Sequence, residues 1–316
     1  MIYVYIQFLG TGAGMPSKMR NVTSIALSLL DEIGEVWLFD CGEATQHQIM
    51  HTAIRPRRVR NIFITHMHGD HIYGLPGFLG SRSFLGGEEP LTIYGPPGIK
   101  AFVEMAIQLS KTHLNYELNI VEITEGVVLE TEHFTVRAAL LEHVIDSYGY
   151  RIEQKPLPGQ LQIDRAIALG VPKGPLLRDL KNGLDVMLEN GIVVKSSDVV
   201  DAEKPGFVVT ILGDTKYCNT SIELSRDADI VVHEATFDAA NEQLARDYGH
   251  ATNVEAAKVA REANAKNILL THISARFTDQ DTKKLLEEAQ QVFTNSTIVK
   301  DLERYNWHQN ALTKEL

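Results

Sequence analysis

The chain has 316 residues, of which 44% are hydrophobic and 22% charged, and it contains two cysteines. This composition excludes a fibrous protein, a largely disordered chain and a small disulfide scaffold. With 41 acidic and 30 basic residues, the net charge of −11 argues against non-specific wrapping of nucleic acid, so any nucleic acid must meet local basic patches.

The first segment, Met1–Ser17, carries no charged residue but is interrupted by glycines and by Pro16. A membrane span needs about 20 apolar residues, so this segment is too short and too irregular to be one. It also lacks the basic start of a signal peptide. We therefore expect no membrane segment and a cytoplasmic protein.

Short apolar runs rich in β-branched residues recur along the chain, as is typical of strands covered on both faces. The predicted strands are Ile2–Leu9, Ile25–Leu29, Val36–Phe39, Ile62–Thr65, Leu91–Tyr94, Phe134–Leu141, Phe207–Leu212, Ile230–Val232 and Ile268–Leu270. Helical spacing of apolar residues predicts helices at Ile99–Leu109, Val254–Ala263 and Thr282–Phe293, the last two with Asn253 and Asp279 as N-caps. This alternation predicts an α/β fold with layered helices.

The segment Arg151–Lys195 differs from its surroundings because glycine and proline are frequent in it. Its seven basic and five acidic residues give a charge of +2, whereas the rest of the chain carries −13. A positive, turn-rich segment in an acidic protein suggests an insertion with its own role. The alternative is a solvated loop with short helices.

A cluster of potential metal ligands directly follows the predicted strand Ile62–Thr65. His66, His68, Asp70 and His71 place three imidazoles and a carboxylate within six residues. Such groups are costly to bury without partners, and they are ligands that zinc prefers. One open catalytic zinc takes about three protein ligands in total, so four from one loop favour two metal ions. The alternative is a surface histidine cluster.

Other polar residues also follow predicted strands. His143, Asp214 and His272 each come shortly after a strand, and the carboxyl ends of strands in α/β folds gather at one edge. We therefore expect them to converge with the loop histidines. Asp40 also ends a strand and is expected to hold an imidazole rather than to bind metal. His250, just before a predicted helix, is a candidate proton donor.

The order His-x-His-x-Asp-His, followed by distant His, Asp and His residues, resembles the metallo-β-lactamase superfamily over roughly Phe8–Thr278. The resemblance implies a four-layer αβ/βα sandwich with a dinuclear metal site at one edge of two sheets. This superfamily includes lactamases, lactonases, phosphodiesterases and nucleases. Membership alone therefore does not define the reaction.

Two further segments resemble the ribonuclease Z family, the tRNA 3′-processing endonucleases. Pro16–Asn21 is similar to the Pro-x-Lys-x-Arg-Asn loop, which in that family helps to discriminate against tRNA that already carries CCA. Gly170–Pro175 resembles the Gly-Pro tip of the family's flexible arm. The resemblance implies a single metallo-β-lactamase domain over residues 1–316, with an inserted arm at 151–195 that binds RNA.

The segments His233–Phe237 and Gly249-His250 also resemble the family in place. There are two departures. Ala251 stands where the family commonly has serine, and Ser274–Phe277 differs at two positions from a Ser-Ser-Arg-Tyr stretch. Neither departure removes a potential ligand, so only fine positioning is affected.

The resemblance also implies roles for individual residues. Two Zn²⁺ ions per subunit are expected, one held by His66, His68, His143 and Asp214, and the other by Asp70, His71, His272 and the same Asp214. Asp70 would also accept a proton from the nucleophile, and His250 would protonate the leaving oxygen. The residues expected to contact RNA are Lys18, Arg20, Asn21, Lys173, Gly174, Pro175 and Arg178.

The implied substrate is precursor tRNA, cut after the discriminator base to leave a 3′-hydroxyl on the tRNA and a 5′-phosphate on the trailer. The resemblance also implies a homodimer; no other protein partner is implied. The run Arg55–Arg60, with four arginines, is a second candidate RNA surface, although a solvated basic turn is equally compatible with it. His47 and His51, four residues apart, fit a solvated or packed helix face better than a metal site.

Three alternatives stay open at this point. A small-molecule phosphodiesterase or lactonase explains the metal ligands but not the loop and the arm. A redox di-iron protein typically has glutamate where this chain has His68. A non-catalytic RNA-binding module would not need seven ligands. The ligand set itself accepts manganese as well as zinc.

Overall fold

The computed structural model describes residues 4–308 and 311–315. The chain divides into two compact units. Unit 1 comprises the described residues of 1–130, 136–152 and 208–316, and unit 2 comprises residues 131–135 and 153–207. The predicted arm, 151–195, begins two residues before the second stretch of unit 2 and ends twelve residues before the end of that unit.

The strands, labelled in chain order, are β1 Val4–Gly10, β2 Gly12–Ala13, β3 Ser24–Leu29, β4 Glu35–Phe39, β5 Val59–Phe63, β6 Leu91–Gly95, β7 Leu118–Glu122, β8 Gly126–Glu130, β9 Phe134–Leu141, β10 Ser147–Gln154, β11 Val186–Met187, β12 Val193–Val194, β13 Val208–Ile211, β14 Ile230–Glu234, β15 Ile268–Thr271, β16 Ile273–Ser274, β17 Ser296–Ile298, β18 Arg304–His308 and β19 Ala311–Lys314.

The α-helices are α1 Thr45–Met50, α2 Gly69–Ile72, α3 Leu75–Phe84, α4 Ile99–Ser110, α5 Ile163–Ala168, α6 Pro175–Lys181, α7 Ser196–Val199, α8 Asn219–Leu224, α9 Glu242–Tyr248, α10 Asn253–Glu262 and α11 Asp279–Val292. Short 3-10 helices lie at Pro56–Arg58 and Ala239–Asn241. No helix within the described residues is both long and apolar enough to cross a membrane.

Unit 1 contains two large sheets. The first has the strand order β19-β18-β1-β3-β4-β5-β6-β7, with parallel pairing from β4 to β7. The second has the order β17-β15-β14-β13-β10-β9-β8, with parallel pairing from β13 to β17. In each parallel stretch the carboxyl ends of the strands share one edge, where loops are free to carry polar side chains.

Aromatic side chains fill the space between the two sheets. Tyr150 of β10 lies against Phe39 of β4 and Phe63 of β5, with ring centroids 6.0 and 5.3 Å apart, and its hydroxyl donates to the Ile64 carbonyl. Separate apolar cores join the outer face of the first sheet to α1, α3 and α4, and that of the second to α8, α10 and α11. The predicted four-layer αβ/βα sandwich is confirmed.

Unit 2 has its own small apolar core. The buried residues of this core are Ala166, Val171, Leu180, Val186, Leu188, Val194 and Val199. Five of them come from α5, α6, α7 and the two-stranded β11–β12 pair, and Val171 and Leu188 lie in the connecting segments. The glycines and prolines of this unit therefore connect short packed elements, and the segment is more than a solvated loop.

The predicted strands are present with ends shifted by up to three residues. Ile2 and Tyr3, assigned to the first predicted strand, lie outside the described residues. Strands β7 and β8 are missing from the sequence prediction because their side chains are mostly exposed, so they lack the apolar run that marks the central strands.

The predicted N-caps of the last two helices are wrong by one residue. Thr252 caps α10 and Thr278 caps α11, in place of Asn253 and Asp279. Each threonine hydroxyl accepts a hydrogen bond from the backbone amide of the residue three positions later. In α10 that residue is Glu255, and its carboxylate accepts a hydrogen bond from the Thr252 amide in return. This reciprocal capping box satisfies two backbone donors and is favoured over a single cap.

Candidate metal centre and active site

The histidine-rich loop follows β5 at the carboxyl edge of the first sheet. The chain stays extended through His68 and then turns into the short helix α2 at Gly69. This geometry buries His66 and His71 and leaves His68 and Asp70 partly exposed. All four side chains reach a common region.

Asp40, directly after β4, holds this loop in place through hydrogen bonds. Its Oδ1 accepts the Thr65 amide at 2.8 Å, and its Oδ2 accepts the Thr65 hydroxyl at 2.9 Å and His71 Nδ1 at 2.7 Å. Because Nδ1 of His71 donates to Asp40, the other ring nitrogen, Nε2, is directed toward the loop carboxylates. This placement agrees with the expectation that Asp40 holds an imidazole.

Among the described residues, three groups of ligand atoms form at this edge; two of them together contain all the predicted ligands, and the third, Asp214, His250 and His272, overlaps both. The first group consists of His66, His68, His143 and Asp214, and the second consists of Asp70, His71 and His272. Within each group the ligand atoms all lie within 4.8 Å of one another. The structure thus brings together every residue that the sequence analysis names as a metal ligand.

Asp214 lies between the two groups. Its Oδ2 is 3.6 Å from His66 Nε2 in the first group, and 3.5 and 3.1 Å from the Nε2 atoms of His71 and His272 in the second. A carboxylate can bridge two cations through its two oxygens, whereas an imidazole has one free lone pair.

The imidazoles of the site differ in the direction of their pKa shifts because their neighbours differ. Burial lowers the pKa of His66, and it likewise lowers the pKa values of His68 and His143, which favours the neutral rings that bind metal. Burial opposes protonation of His71 as well, but the carboxylates of Asp214 and Asp40 raise its pKa well above the usual value.

The remaining ring nitrogens are held by hydrogen bonds. His143 Nδ1 donates to the Gly249 carbonyl at 2.6 Å, and His272 Nδ1 lies 2.7 Å from the Thr23 hydroxyl. Such contacts set the tautomer and orientation of a metal-binding imidazole. The sequence analysis missed Thr23, because it is distant in the chain and resembles any strand-end threonine.

His250 lies beside the two groups, between α9 and α10. Its Nδ1 is 2.7 Å from Glu234 Oε1 and 3.9 Å from Asp214 Oδ2. Burial opposes its protonation, but the Glu234 carboxylate outweighs burial and raises the pKa of His250 to about 9. His250 can therefore donate a proton at neutral pH.

The sequence analysis also missed the role of Glu234. It ends β14 and is buried, with Oε1 accepting the Thr215 amide and Oε2 accepting the amide and hydroxyl of Thr236. A glutamate at the carboxyl end of an apolar strand is the available sequence signal, since a buried carboxylate needs partners.

A cavity of about 300 Å³ opens above the ligand groups. Its lining includes His68, Asp70, Asp214, His250 and His272. Its other wall carries aromatic and cationic groups: the rings of Phe237 and Tyr248 are stacked with centroids 6.4 Å apart, and the Arg276 guanidinium lies 4.7 Å from the Phe237 centroid.

The residues of the segment Pro16–Asn21 are placed differently from one another. Lys18 is exposed. Arg20 is 9% exposed and its Nη1 donates to the Thr11 hydroxyl and to the Val299 carbonyl, both at 2.6 Å. Asn21 donates its side-chain amide to the Glu43 carbonyl. In this structure Arg20 and Asn21 brace the loop, and Lys18 faces solvent.

The predicted RNA contacts in unit 2, which are Lys173, Gly174, Pro175 and Arg178, are all exposed. Lys173 and Gly174 directly precede α6, Pro175 is its first residue and Arg178 its fourth. Their surface position is compatible with an RNA contact, which stays a prediction.

The run Arg55–Arg60 lies away from the ligand groups. It precedes and enters β5 at the amino end, whereas the metal loop follows the carboxyl end. Arg60 pairs with Glu89 at 3.3 Å, which offsets part of the positive charge. His47 and His51, exposed on and just after α1, belong to neither ligand group.

Comparison with known proteins places this site in a family. The family described as anti-Pycsar protein Apyc1 matches residues 4–158. A ribonuclease Z of Geobacillus kaustophilus is 55% identical over 299 residues, covering 95% of this chain and 97% of that protein. A ribonuclease Z of Bacillus cereus is 56% identical over 299 residues, covering 94% and 97%. The chain belongs to the ribonuclease Z family.

Solved structures agree with this membership. The short form of human tRNase Z superposes on this ribonuclease Z family chain with a TM-score of 0.69 and 29% identity, covering 95% of this chain and 98% of that one. A metallo-β-lactamase fold protein of Bacillus subtilis, 20% identical with a TM-score of 0.67, shows the shared fold. The resemblance stated from sequence is confirmed, and the chain is a nuclease of metallo-β-lactamase fold.

Proposed function

We propose that this chain is a metal-dependent endoribonuclease that removes the 3′ trailer from precursor tRNA. The cut falls after the discriminator base and leaves a 3′-hydroxyl on the tRNA and a 5′-phosphate on the trailer. The proposal is supported by ribonuclease Z relatives that match nearly the whole chain, and by the two ligand groups beside an acid–base pair.

Two Zn²⁺ ions are the proposed cofactors. His66, His68, His143 and Asp214 would hold one ion, and Asp70, His71, His272 and Asp214 the other. One observation carries this assignment: His71 Nε2 is a buried nitrogen with no hydrogen-bond partner among the described residues, and it lies 3.5 Å from an oxygen of Asp70 and 3.5 Å from one of Asp214. An unsatisfied buried nitrogen facing two carboxylates suits a cation.

When bound, two zinc ions would lower the pKa of water at the site toward neutrality and would offset negative charge on the phosphoryl oxygens. Asp70 would accept the proton from the attacking water. Its Oδ2 accepts the Gly14 amide at 2.8 Å, which fixes the carboxylate in place. Asp214 would hold the two halves of the site together.

His250 would act as the general acid. It donates a proton to the leaving 3′ oxygen of the tRNA, which is a strong base and needs protonation to depart. Glu234 keeps His250 protonated and oriented through the 2.7 Å contact with Nδ1. Nε2 of His250 is the nitrogen left to meet the substrate.

RNA binding is assigned to exposed positive and turn residues. Lys18 would contact the acceptor end near the active site, and Arg20 and Asn21 would shape the loop that carries it. In unit 2, Lys173, Gly174, Pro175 and Arg178 would form an RNA exosite on an inserted arm, predicted at 151–195. Recognition of a folded RNA by shape suits such an exosite.

We also propose a homodimer that works in the cytoplasm, where an arm of one subunit contacts RNA cut by the other. The two cysteines, Cys41 and Cys218, are buried and free, as expected of a protein in a reducing compartment. Sedimentation of the purified chain tests the oligomeric state.

The decisive experiment uses zinc-loaded protein and a 3′-extended precursor tRNA that lacks encoded CCA. The cut site is mapped at nucleotide resolution, with Asp70→Ala and bis(p-nitrophenyl) phosphate run in parallel. A cut just after the discriminator base that disappears in Asp70→Ala supports the proposal. Hydrolysis of the small diester alone would contradict the tRNA assignment and favour a small-molecule phosphodiesterase.

A further inference from the structure

A partly buried hydrogen-bond relay joins the C-terminal region to the base of the loop that follows β1. Arg20 Nη1 donates to Thr11 Oγ1, and Thr11 Oγ1 donates to Asp301 Oδ1, each at 2.6 Å. The other oxygen of Asp301 accepts the Asn21 amide, also at 2.6 Å. Thr11 is fully buried and Arg20 nearly so, whereas Asp301 is partly exposed.

The segment held by this relay reaches the second ligand group from two sides. The Gly14 amide donates to Asp70 Oδ2 at 2.8 Å, the oxygen that faces His71 and His272. The Thr11 carbonyl accepts the amide of Ile273, the residue after His272, at 2.9 Å. Strand β2 also pairs with β16 in this place.

We propose that Asp301 is a positioning residue for the second ligand group. Through Thr11 and Asn21 it holds segment 11–14, so that the Gly14 amide keeps the Asp70 carboxylate directed at the second cation. This inference rests on the proposed metal-dependent function. It assigns the Arg20 guanidinium to the relay rather than to the RNA backbone.

The charges and contacts support this assignment. The Asp301 carboxylate is linked to the buried Arg20 by hydrogen bonds through Thr11. It also accepts a hydrogen bond from Gln48 Nε2 at 3.2 Å. Three donors, from Thr11, Asn21 and Gln48, therefore hold one carboxylate, which forms no hydrogen bond with a metal ligand among the described residues. A charge-assisted bond from a backbone amide, as between Gly14 and Asp70, is sensitive to small displacements of the amide.

The test compares Asp301→Asn and Thr11→Val with the exposed control Asp31→Asn. Each zinc-loaded protein is dialysed against a chelator, and zinc per chain is measured over time. We expect both relay variants to lose one of two zinc ions about tenfold faster than the control, the effect typical of residues that orient metal ligands.

Kinetics on bis(p-nitrophenyl) phosphate provide the second readout. We expect kcat to fall about tenfold in both relay variants while KM changes by less than about twofold, because the defect lies in the hydrolytic centre rather than in binding. Valine has nearly the same shape as threonine, and Thr11→Val leaves the Asp301 charge in place. If thermal melting shows that Asp301→Asn is unfolded, Thr11→Val alone tests the proposal.

Two results would overturn the proposal. One is zinc retention and kcat equal to those of the control. The other is full zinc retention in the relay variants together with a raised KM for precursor tRNA alone. That result would indicate that Arg20 and its loop contact the RNA. Failure of the proposed tRNA function would give a different result. In that case the parent chain would not cleave tRNA, but the relay variants would still lose zinc faster than the control.

Discussion

Nδ1 of His250 lies 2.7 Å from Oε1 of Glu234, a carboxylate whose side chain is 1% exposed. This pair couples the end of a central strand of the second sheet to the wall of the cavity over the ligand groups. The carboxylate raises the pKa of the imidazole to about 9, which favours a protonated ring next to groups suited to cations.

Replacement of Glu234 by glutamine should move the alkaline limb of the pH–rate profile. Burial lowers the pKa of His250, but the Glu234 carboxylate outweighs burial and raises that pKa to about 9, so loss of the carboxylate should lower it. The protonated acid is then lost at lower pH, so kcat on precursor tRNA should decline at a lower pH than in the parent. An unchanged alkaline limb would exclude His250 as the acid. Zinc content measured for both proteins serves as the control.

His250→Ala should distinguish between substrates with different leaving groups. The 3′ oxygen of tRNA needs a proton to leave, whereas p-nitrophenolate is a weak base and does not. We expect kcat to fall by about 10²–10⁴-fold on precursor tRNA and by much less on bis(p-nitrophenyl) phosphate. Equal losses on both substrates would indicate a structural defect instead.

Asp40→Asn should weaken metal binding without removing a ligand. Asp40 accepts three donors, including His71 Nδ1, and an asparagine can match only part of that set. The expected loss of zinc affinity is about 10–100-fold, measured by competition with a chromophoric chelator. Asp31→Asn, an exposed substitution, is the matched control and should leave affinity unchanged.

Zinc affinity should rise with pH. Asp214 and Asp40 raise the pKa of His71 well above the usual value when no metal is bound, so zinc must displace a proton from that ring. Affinity should therefore increase by about tenfold per pH unit for each proton released, from pH 6 toward the raised pKa. Chelator titrations at pH 6 and pH 8 measure the slope. A pH-independent affinity would mean that His71 is already neutral.

Neutralising Lys173 and Arg178 together should raise KM for precursor tRNA. Both side chains are exposed in unit 2, and phosphate contacts contribute affinity that weakens as salt rises. KM for bis(p-nitrophenyl) phosphate should stay unchanged, because that substrate is too small to reach an exosite. Parallel changes for the two substrates would argue against an arm-based exosite.

The sequence by itself determined the fold class and which residues are candidate metal ligands. Apolar runs that end at Asp40, His143, Asp214 and His272 are visible without coordinates, because the same periodicity that buries a strand brings its last polar residue to the sheet edge. The residues His66 to His71 are close together in the chain, so their spacing can be read from the sequence alone.

Only the tertiary structure decided which partners those residues have. Glu234 meets His250 across 16 positions, Thr23 meets His272 across 249, and Asp301 meets Asn21 across 280. Such contacts depend on how the two sheets pack, and no local pattern encodes them. Arg20 shows the consequence: its sequence motif suggests an RNA contact, whereas its burial places it among the groups that hold the loop.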